Sequence, residues 1–392
     1  MISQKYFRQF LHRLPSSGTL MIFCVAVSLV IANSPLATFF QKILDVEIGS
    51  EIFQLNFPVS SWINDGLMAV FFLLVGLEIK QEFVQGELHG FKKAALPIVA
   101  ALGGMMVPAL IFYLFNHETG AMNGWAIPIA TDIAFSLAII SMLGKRVPIS
   151  LKVFLAALTL VDDLGAILVI AIFYTEHIQW SFIVGATLLT IALFALNYCK
   201  VKKLIFYIIP GLFLWYFMHH SGIHATIAGV VLALTIPMKS SPESVSPLKK
   251  LEHQLHLPVH FFILPVFALA NTNITFTDTM FAGLISPFSL GIIGGLFLGK
   301  VIGICLFSWI LIRLRICSLP DQSSWVQMLG VGLLAGIGFT MSIFIALLSF
   351  PGCAEIQNQS KIAVLVASLF SGFSGYLLLK FAGKKSLSIN SK

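Results

Sequence analysis

The stretch Ile149–Tyr174, ISLKVFLAALTLVDDLGAILVIAIFY, is apolar for long enough to cross a bilayer, yet two adjacent carboxylates, Asp162 and Asp163, sit near its middle. At that depth each acid costs about 2.5–3.5 kcal/mol on insertion scales, so such residues are read first as functional. The preceding apolar stretch holds a third acid in Thr131-Asp132-Ile133-Ala134-Phe135. A later one holds a single cation, Lys300, in Leu298-Gly299-Lys300-Val301. Three acids and one lysine at membrane depth suggest an ion pathway, and the rest of the chain reads as what holds them there.

Composition agrees. Of the 392 residues, 58% are hydrophobic and only 10% charged, whereas a soluble domain carries about 25% charge. The reading is an all-α polytopic membrane protein. A net charge of +7 raises the question of nucleic acid, but the basic residues fall in short clusters between apolar spans, as membrane topology requires. Five cysteines, odd in number and without CxxC spacing, imply neither a disulfide framework nor a zinc site. No cofactor is expected.

The N-terminal apolar run from about residue 18 to 32 follows Lys5, Arg8 and Arg13; with no A-x-A site after it, it reads as a retained membrane helix rather than a signal peptide. Further spans are expected at 59–80, 95–115, 122–143, 150–174, 181–199, 204–218, 222–236, 258–272, 288–312, 327–349 and 361–381, about twelve in all, in one transporter domain covering 1–392. Between Asp45 and Asn56 a rough alternation around Gly49-Ser50 reads as a short β-hairpin outside the membrane or as an ordered loop. With the N-terminus inside, every one of the 24 basic residues falls in a cytoplasmic segment except Lys42, Lys361 and the intramembrane Lys300. That asymmetry places both termini in the cytoplasm.

On this topology the third to fifth spans begin inside and the tenth to twelfth begin outside, so inverted three-helix repeats are expected at about 95–174 and 288–381. Their middle members are both interrupted: span four by Pro128 and Thr131-Asp132, span eleven by Gly330, Gly332, Gly336 and Gly338. Matching interruptions in two halves point to a midplane site built on broken helices. The plainer reading is that the glycines only allow close helix packing.

Neighbouring residues on a helix point about 100° apart, so Asp162 and Asp163 cannot form a symmetric dyad. Lys300 is the natural partner of one, here Asp162, which leaves Asp163 as principal ion ligand with Asp162 beside it. Asp132 and the Thr131 hydroxyl offer further oxygens, although Thr131 equally suits a bond back to its own helix. Carboxylate and hydroxyl oxygens suit hard cations such as Na⁺ or Li⁺, and no His or Cys cluster at depth suggests a transition metal. A buried carboxylate that binds either H⁺ or a cation, but not both, is enough for exchange if access alternates. Asp132 and Lys300 have a second possible role, balancing the dipole ends of two broken helices.

Asp65, near the outer end of span two, reads as structural or as part of a vestibule. Glu78 and Glu82 lie at the inner end of that span, and Glu252, His253 and His256 follow span eight. A cytoplasmic charged cluster with two histidines suits a pH sensor; an ordinary solvated loop is the plainer alternative.

Several of these stretches together, Ala-Thr-Asp132-Ile-Ala-Phe-Ser-Leu, Thr-Leu-Val-Asp162-Asp163-Leu-Gly-Ala and Gly-Leu-Phe-Leu-Gly-Lys300, resemble the NhaA family of sodium/proton antiporters. Gly-Leu-Glu78-Ile-Lys, Ser-Gly-Ile-His224-Ala-Thr, Leu-Glu252-His253-Gln-Leu-His256 and Gly-Ile-Gly338-Phe-Thr-Met-Ser-Ile match as well. The resemblance runs from the first span to the last. It implies twelve helices with crossed broken helices in spans four and eleven, inverted repeats of which this family is itself a known example, and the glycines Gly336 and Gly338 at one break. It implies electrogenic exchange of Na⁺ or Li⁺ for more than one H⁺, switched on at alkaline pH through Glu78, Glu82, Glu252, His253 and His256. It implies a bacterial inner membrane and a homodimer formed through a periplasmic β-hairpin near 45–58. Three positions depart from the family pattern: Gln81 replaces a basic residue, Val301 replaces a proline, and Leu257 separates His256 from Pro258.

Other functions fit less well. An intramembrane aspartyl protease also needs two membrane aspartates, but no Gly-x-Gly-Asp motif is present. A retinal protein would use a membrane lysine, but twelve spans are too many. A passive cation channel is the nearest rival, and the paired broken helices argue against it.

Overall fold

The computed structural model describes every residue except Met1, Glu87, His89 and residues 176–177, 239–245, 277–282 and 390–392. Side chains of residues 2–16, 91–93 and 384–389 are also outside the description. Among the basic residues that orient the chain, Lys239 and Lys392 lie outside the described residues, as do the side chains of Lys5, Arg8, Arg13, Lys92, Lys93, Lys384 and Lys385.

The protein is helical, with eight helices among the described residues each long and apolar enough to cross a bilayer. Two bent pairs pass that test only jointly: Ser17–Ala32 with Ala37–Asp45, at 111°, and Trp325–Ala335 with Phe339–Ser349, at 44°. The chain is therefore a multi-pass membrane protein. The segments expected at 204–218 and 222–236 are the helices Ile205–His220 and Ile227–Thr235, of 16 and 9 residues. At 1.5 Å per residue the second is only about 14 Å long, well short of a ~30 Å hydrocarbon core.

Two compact units divide the chain. The first comprises Met1–Phe23, Glu87–Ala166 and Ile274–Lys392. Its helix Phe91–Asn116 packs along the segment Pro287–Arg313 through small residues. Gly103 and Gly303 face each other so closely that a Cβ on either would meet the other's carbonyl oxygen. Gly299 lies against Pro108 in the same seam. Close backbone approach of this kind is how helices associate in lipid, where apolar side chains gain nothing by leaving the bilayer. Within the segment, Gly295–Gly299 forms a single π-helical turn, and the N–H of Lys300 bonds to the Gly295 carbonyl. A π turn shifts the helical register by a residue and so re-aims the side chain that follows it.

Two spans of this unit are interrupted. In the first, a 3₁₀ segment Met122–Ile129 ends at Ala130, which is extended, and the helix resumes at Ile133–Met142 with Asp132 as its N-cap. In the second, the helix Trp325–Ala335 begins with a capping box between Ser324 and Gln327, and the chain resumes as Phe339–Ser349 after Gly336–Gly338. Proline in the former and glycine in the latter account for the loss of helical hydrogen bonding.

The second unit comprises Cys24–Gly86 and Ile167–Asn273. Glu47–Ile48 and Phe57–Pro58 pair antiparallel, with Glu47 opposite Pro58 and Ile48 opposite Phe57. The Trp62 indole donates to the Ile48 carbonyl at 2.8 Å and stacks on Trp215, which in turn stacks on His219. This aromatic column fastens the strand pair to the end of the helix Ile205–His220. A core of Leu73, Leu77, Leu193, Tyr207, Leu214 and Leu232 lies beneath. Lys80 Nζ donates to the carbonyls of Leu234 and Ile236 at 2.6 and 2.7 Å, and Asn197 donates to that of Thr235. The C-terminal carbonyls of the short helix Ile227–Thr235 are thereby held by side chains from elsewhere, as buried helix ends require.

Candidate functional site

Asp162, Asp163, Lys300, Thr131 and Asp132 are all buried and all belong to the first unit. Lys300 Nζ lies 2.6 Å from Asp162 Oδ2, and both side chains are 0% exposed. The same oxygen accepts a hydrogen bond from Thr131 Oγ1 at 2.7 Å. The other oxygen, Asp162 Oδ1, is buried and accepts no hydrogen bond among the described residues. Asp163, also 0% exposed, lies within electrostatic reach of Lys300. A buried ion pair is held together by Coulomb attraction in a poor dielectric, and removing one partner leaves an uncompensated charge.

Thr131 Oγ1 also lies 2.8 Å from the Ala335 carbonyl, at the end of the helix before the second break. A hydroxyl has one hydrogen, so its contacts with Asp162 and Ala335 share it. Thr131 does not bond back to its own helix; it links the carboxylate of Asp162 to the opposite broken span.

Asp132 faces a different set of groups. Its Oδ1 accepts from the N–H of Phe135 at 3.1 Å, capping its own helix. Its Oδ2 accepts from both the N–H and the hydroxyl of Thr340, at 3.0 and 2.5 Å. Its backbone N–H donates to the Ile337 carbonyl at 2.6 Å. One carboxylate therefore caps the N-termini of two helices, Ile133–Met142 and Phe339–Ser349. Both ends carry partial positive charge, which an acid offsets. In the return direction Ser342 Oγ donates to the Ile127 carbonyl at 2.7 Å, at the end of the 3₁₀ segment.

Gly336 and Gly338 are placed by contact as much as by flexibility. A Cβ on Gly336 would meet the Leu296 carbonyl oxygen and Ser371 Oγ; one on Gly338 would meet Ser342 Oγ and Leu296 Cδ2.

The acidic and histidine residues proposed as a pH sensor lie in the second unit, apart from these groups in sequence. Glu78 lies within electrostatic reach of Glu252 and Glu82. His253 is exposed, whereas His256 is partly buried and stacks on His260 with ring centroids 4.3 Å apart. Asp65 sits in a π turn, Trp62–Leu67, and its carbonyl accepts from the Trp215 indole at 3.1 Å.

The sequence alone does not single out Thr340 or Ser342, which join the two breaks. Thr340 carried one available signal: a hydroxyl two residues after a glycine break stands where the carbonyls it would normally bond are out of helical register.

Among known proteins, residues 8–379 match the family described as Na+/H+ antiporter 1. The chain is 52% identical over 387 residues to a protein named Na(+)/H(+) antiporter NhaA 2 from Flavobacterium johnsoniae, covering 98% of this chain and 94% of that one. It is 47% identical over 376 residues to Na(+)/H(+) antiporter NhaA of Nitrobacter hamburgensis, covering 95% and 91% of the two chains. It is 48% identical over 381 residues to the protein of that name from Flavobacterium psychrophilum, covering 97% of each.

Proposed function

The chain belongs to the Na+/H+ antiporter 1 family, and on that premise we propose that it carries out electrogenic exchange of Na⁺ or Li⁺ for more than one H⁺ at the Asp162–Asp163 site. It is a membrane transporter of Na⁺ and H⁺, not an enzyme.

The observation that carries the site assignment is the buried Lys300–Asp162 pair, in which Asp162 Oδ1 accepts no hydrogen bond among the described residues. A buried carboxylate oxygen left without a donor is costly unless something else uses it. In our reading Na⁺ takes Asp162 Oδ1 and the carboxylate of Asp163, with the Thr131 hydroxyl as a further oxygen and Lys300 released from Asp162 as the ion arrives. Hard oxygen donors suit this cation and equally suit Li⁺. Asp163 and Lys300 give up one proton each as Na⁺ binds; on the other face of the membrane Na⁺ leaves, protons return to both, and Lys300 pairs again with Asp162. Because more groups change protonation than there are cations bound, more than one proton travels per Na⁺, and net charge crosses. Of the two roles considered for Asp132, its three donors favour balancing the helix N-termini over binding the ion. Lys300 is its counterpart, joined through Asp162 and Thr131 to the Ala335 carbonyl.

The same reading has twelve spans, counting each bent pair and the helix Ile205–His220 once, with the short helix Ile227–Thr235 crossing together with the non-helical residues that flank it within 222–236. It has inverted repeats at about 95–174 and 288–381. Both termini are cytoplasmic in a bacterial inner membrane, and two copies associate through the strand pair near 45–58. Activity rises at alkaline pH through Glu78, Glu82, Glu252, His253 and His256, serving pH and sodium homeostasis.

The test uses purified protein in liposomes with a pH dye inside, adding NaCl, LiCl and KCl separately. Na⁺ and Li⁺ are expected to drive proton movement, and Asp162→Asn and Asp163→Asn to reduce it to the level of empty liposomes. Full activity in either variant, or Na⁺ flux without a proton signal, would remove the site assignment.

A further inference from the structure

We propose that Thr340 is a positioning residue for ion exchange, its hydroxyl fixing the Asp132 carboxylate so that the adjacent Thr131 is held on Asp162. The proposal rests on the Asp162–Asp163 site described above and extends it to a residue that touches neither the ion nor those two carboxylates.

The path is short and continuous. Thr340 Oγ1 donates to Asp132 Oδ2 at 2.5 Å, and the Thr340 N–H donates to the same oxygen at 3.0 Å. Phe135 holds the other oxygen. The Asp132 N–H is tied to the Ile337 carbonyl, three residues before Thr340. Asp132 is thus gripped from both sides of its peptide by one short segment, 337–340. The preceding residue, Thr131, directs its hydroxyl to Asp162 Oδ2 and the Ala335 carbonyl. Nothing in this chain is exposed beyond 2% at Thr131, Asp132, Asp162 or Thr340. With water excluded, each donor is both stronger and less replaceable.

Two features suit Thr340 to this task. A threonine within a helix normally returns its hydroxyl to the carbonyl three or four residues back. Here those residues are Ile337 and Gly336: the Ile337 carbonyl takes the Asp132 N–H, and Gly336 lies in the break before the helix Phe339–Ser349. The hydroxyl is left for Asp132. Threonine is also β-branched, so its side chain has few rotamers and holds the oxygen where it stands. The backbone N–H alone could cap the helix. The added hydroxyl doubles the grip on one carboxylate oxygen and fixes the carboxylate's rotation, and with it the peptide leading to Thr131.

The experiment measures the apparent KM for Na⁺ and the maximal rate of the full chain in liposomes, comparing wild type, Thr340→Val and Thr340→Ser. Valine keeps the shape and the backbone N–H and removes only the hydroxyl; serine restores the hydroxyl. The expected result is a KM raised about tenfold in Thr340→Val at a maximal rate within about twofold of wild type, with Thr340→Ser close to wild type, as for loss of one buried charge-assisted hydrogen bond. A KM within about twofold of wild type in Thr340→Val, or a serine variant no better than valine, overturns the proposal. If the valine variant does not reach the membrane, Thr340→Ala replaces it, and equal KM values for the alanine and serine variants overturn the proposal in the same way. Asp163→Asn, measured alongside, separates the two levels: if it stays active, the ion-site reading fails; if it is silent while Thr340→Val binds Na⁺ normally, only the role of Thr340 fails.

Discussion

Between Ala130 and Asp132 the chain interrupts one helix with a threonine and an aspartate; between Gly336 and Gly338 it interrupts another with two glycines around an isoleucine. The first break contributes side chains: Thr131 to Asp162 and Ala335, Asp132 to two helix N-termini. The second contributes backbone, the carbonyls of Ala335 and Ile337, and sends hydroxyls across from Thr340 and Ser342, beyond its glycines. Where both breaks must lie close together, side chains on both would collide. One break carries the chemistry, and the other is stripped to glycine to make room for it.

That division can be broken at either side. The largest effect is expected from Asp132→Ala, which uncaps two buried helix N-termini at once, at about 0.5–2 kcal/mol for each. Its unfolding midpoint in detergent should fall further than that of Asp132→Asn, which keeps an acceptor oxygen. Equal stability of the two variants and wild type would mean that the shared carboxylate holds neither helix.

Next comes the glycine side. Gly336→Ala sets a methyl against the Leu296 carbonyl, a backbone atom that cannot rotate away, whereas at Gly338 the nearest atom is the movable Ser342 Oγ. Overpacking of this kind costs about 1–3 kcal/mol, so Gly336→Ala should lower the midpoint more than Gly338→Ala. The reverse order would show that the second break needs flexibility rather than space.

The smallest effect is expected from Ser342→Ala, which removes one donor from the Ile127 carbonyl. Hydrogen bonds between membrane helices average about 0.6 kcal/mol, so a slight fall in midpoint with exchange intact is the prediction. A collapse of transport in this variant would move Ser342 from support into the site itself.

How far the site could be read from sequence follows the same division. Asp162, Asp163 and Lys300 stand out because charge at membrane depth is rare, and the Lys300–Asp162 contact joins that lysine to one of the two acids. Both breaks were legible from proline and glycine. The hydroxyl contacts were not: Thr340 meets Asp132 across 208 residues, and hydroxyls in apolar helices ordinarily bond to their own backbone. Nor was the π turn at Gly295–Gly299 legible, since glycines permit it without requiring it. The acidic and histidine residues were read as one cluster, but burial separates an exposed His253 from a His256 stacked on His260, a difference that identity alone does not carry.

The shared carboxylate also sets a condition on synthesis. Asp132 leaves the ribosome 208 residues before Thr340. At 5–20 residues per second that is an interval of about 10–40 s. During it the first broken span must sit in the membrane with a carboxylate whose second helix has not yet been made. The half of the chain made first therefore waits on the half made last, and a truncation before residue 340 strands an acid in lipid as well as removing a helix.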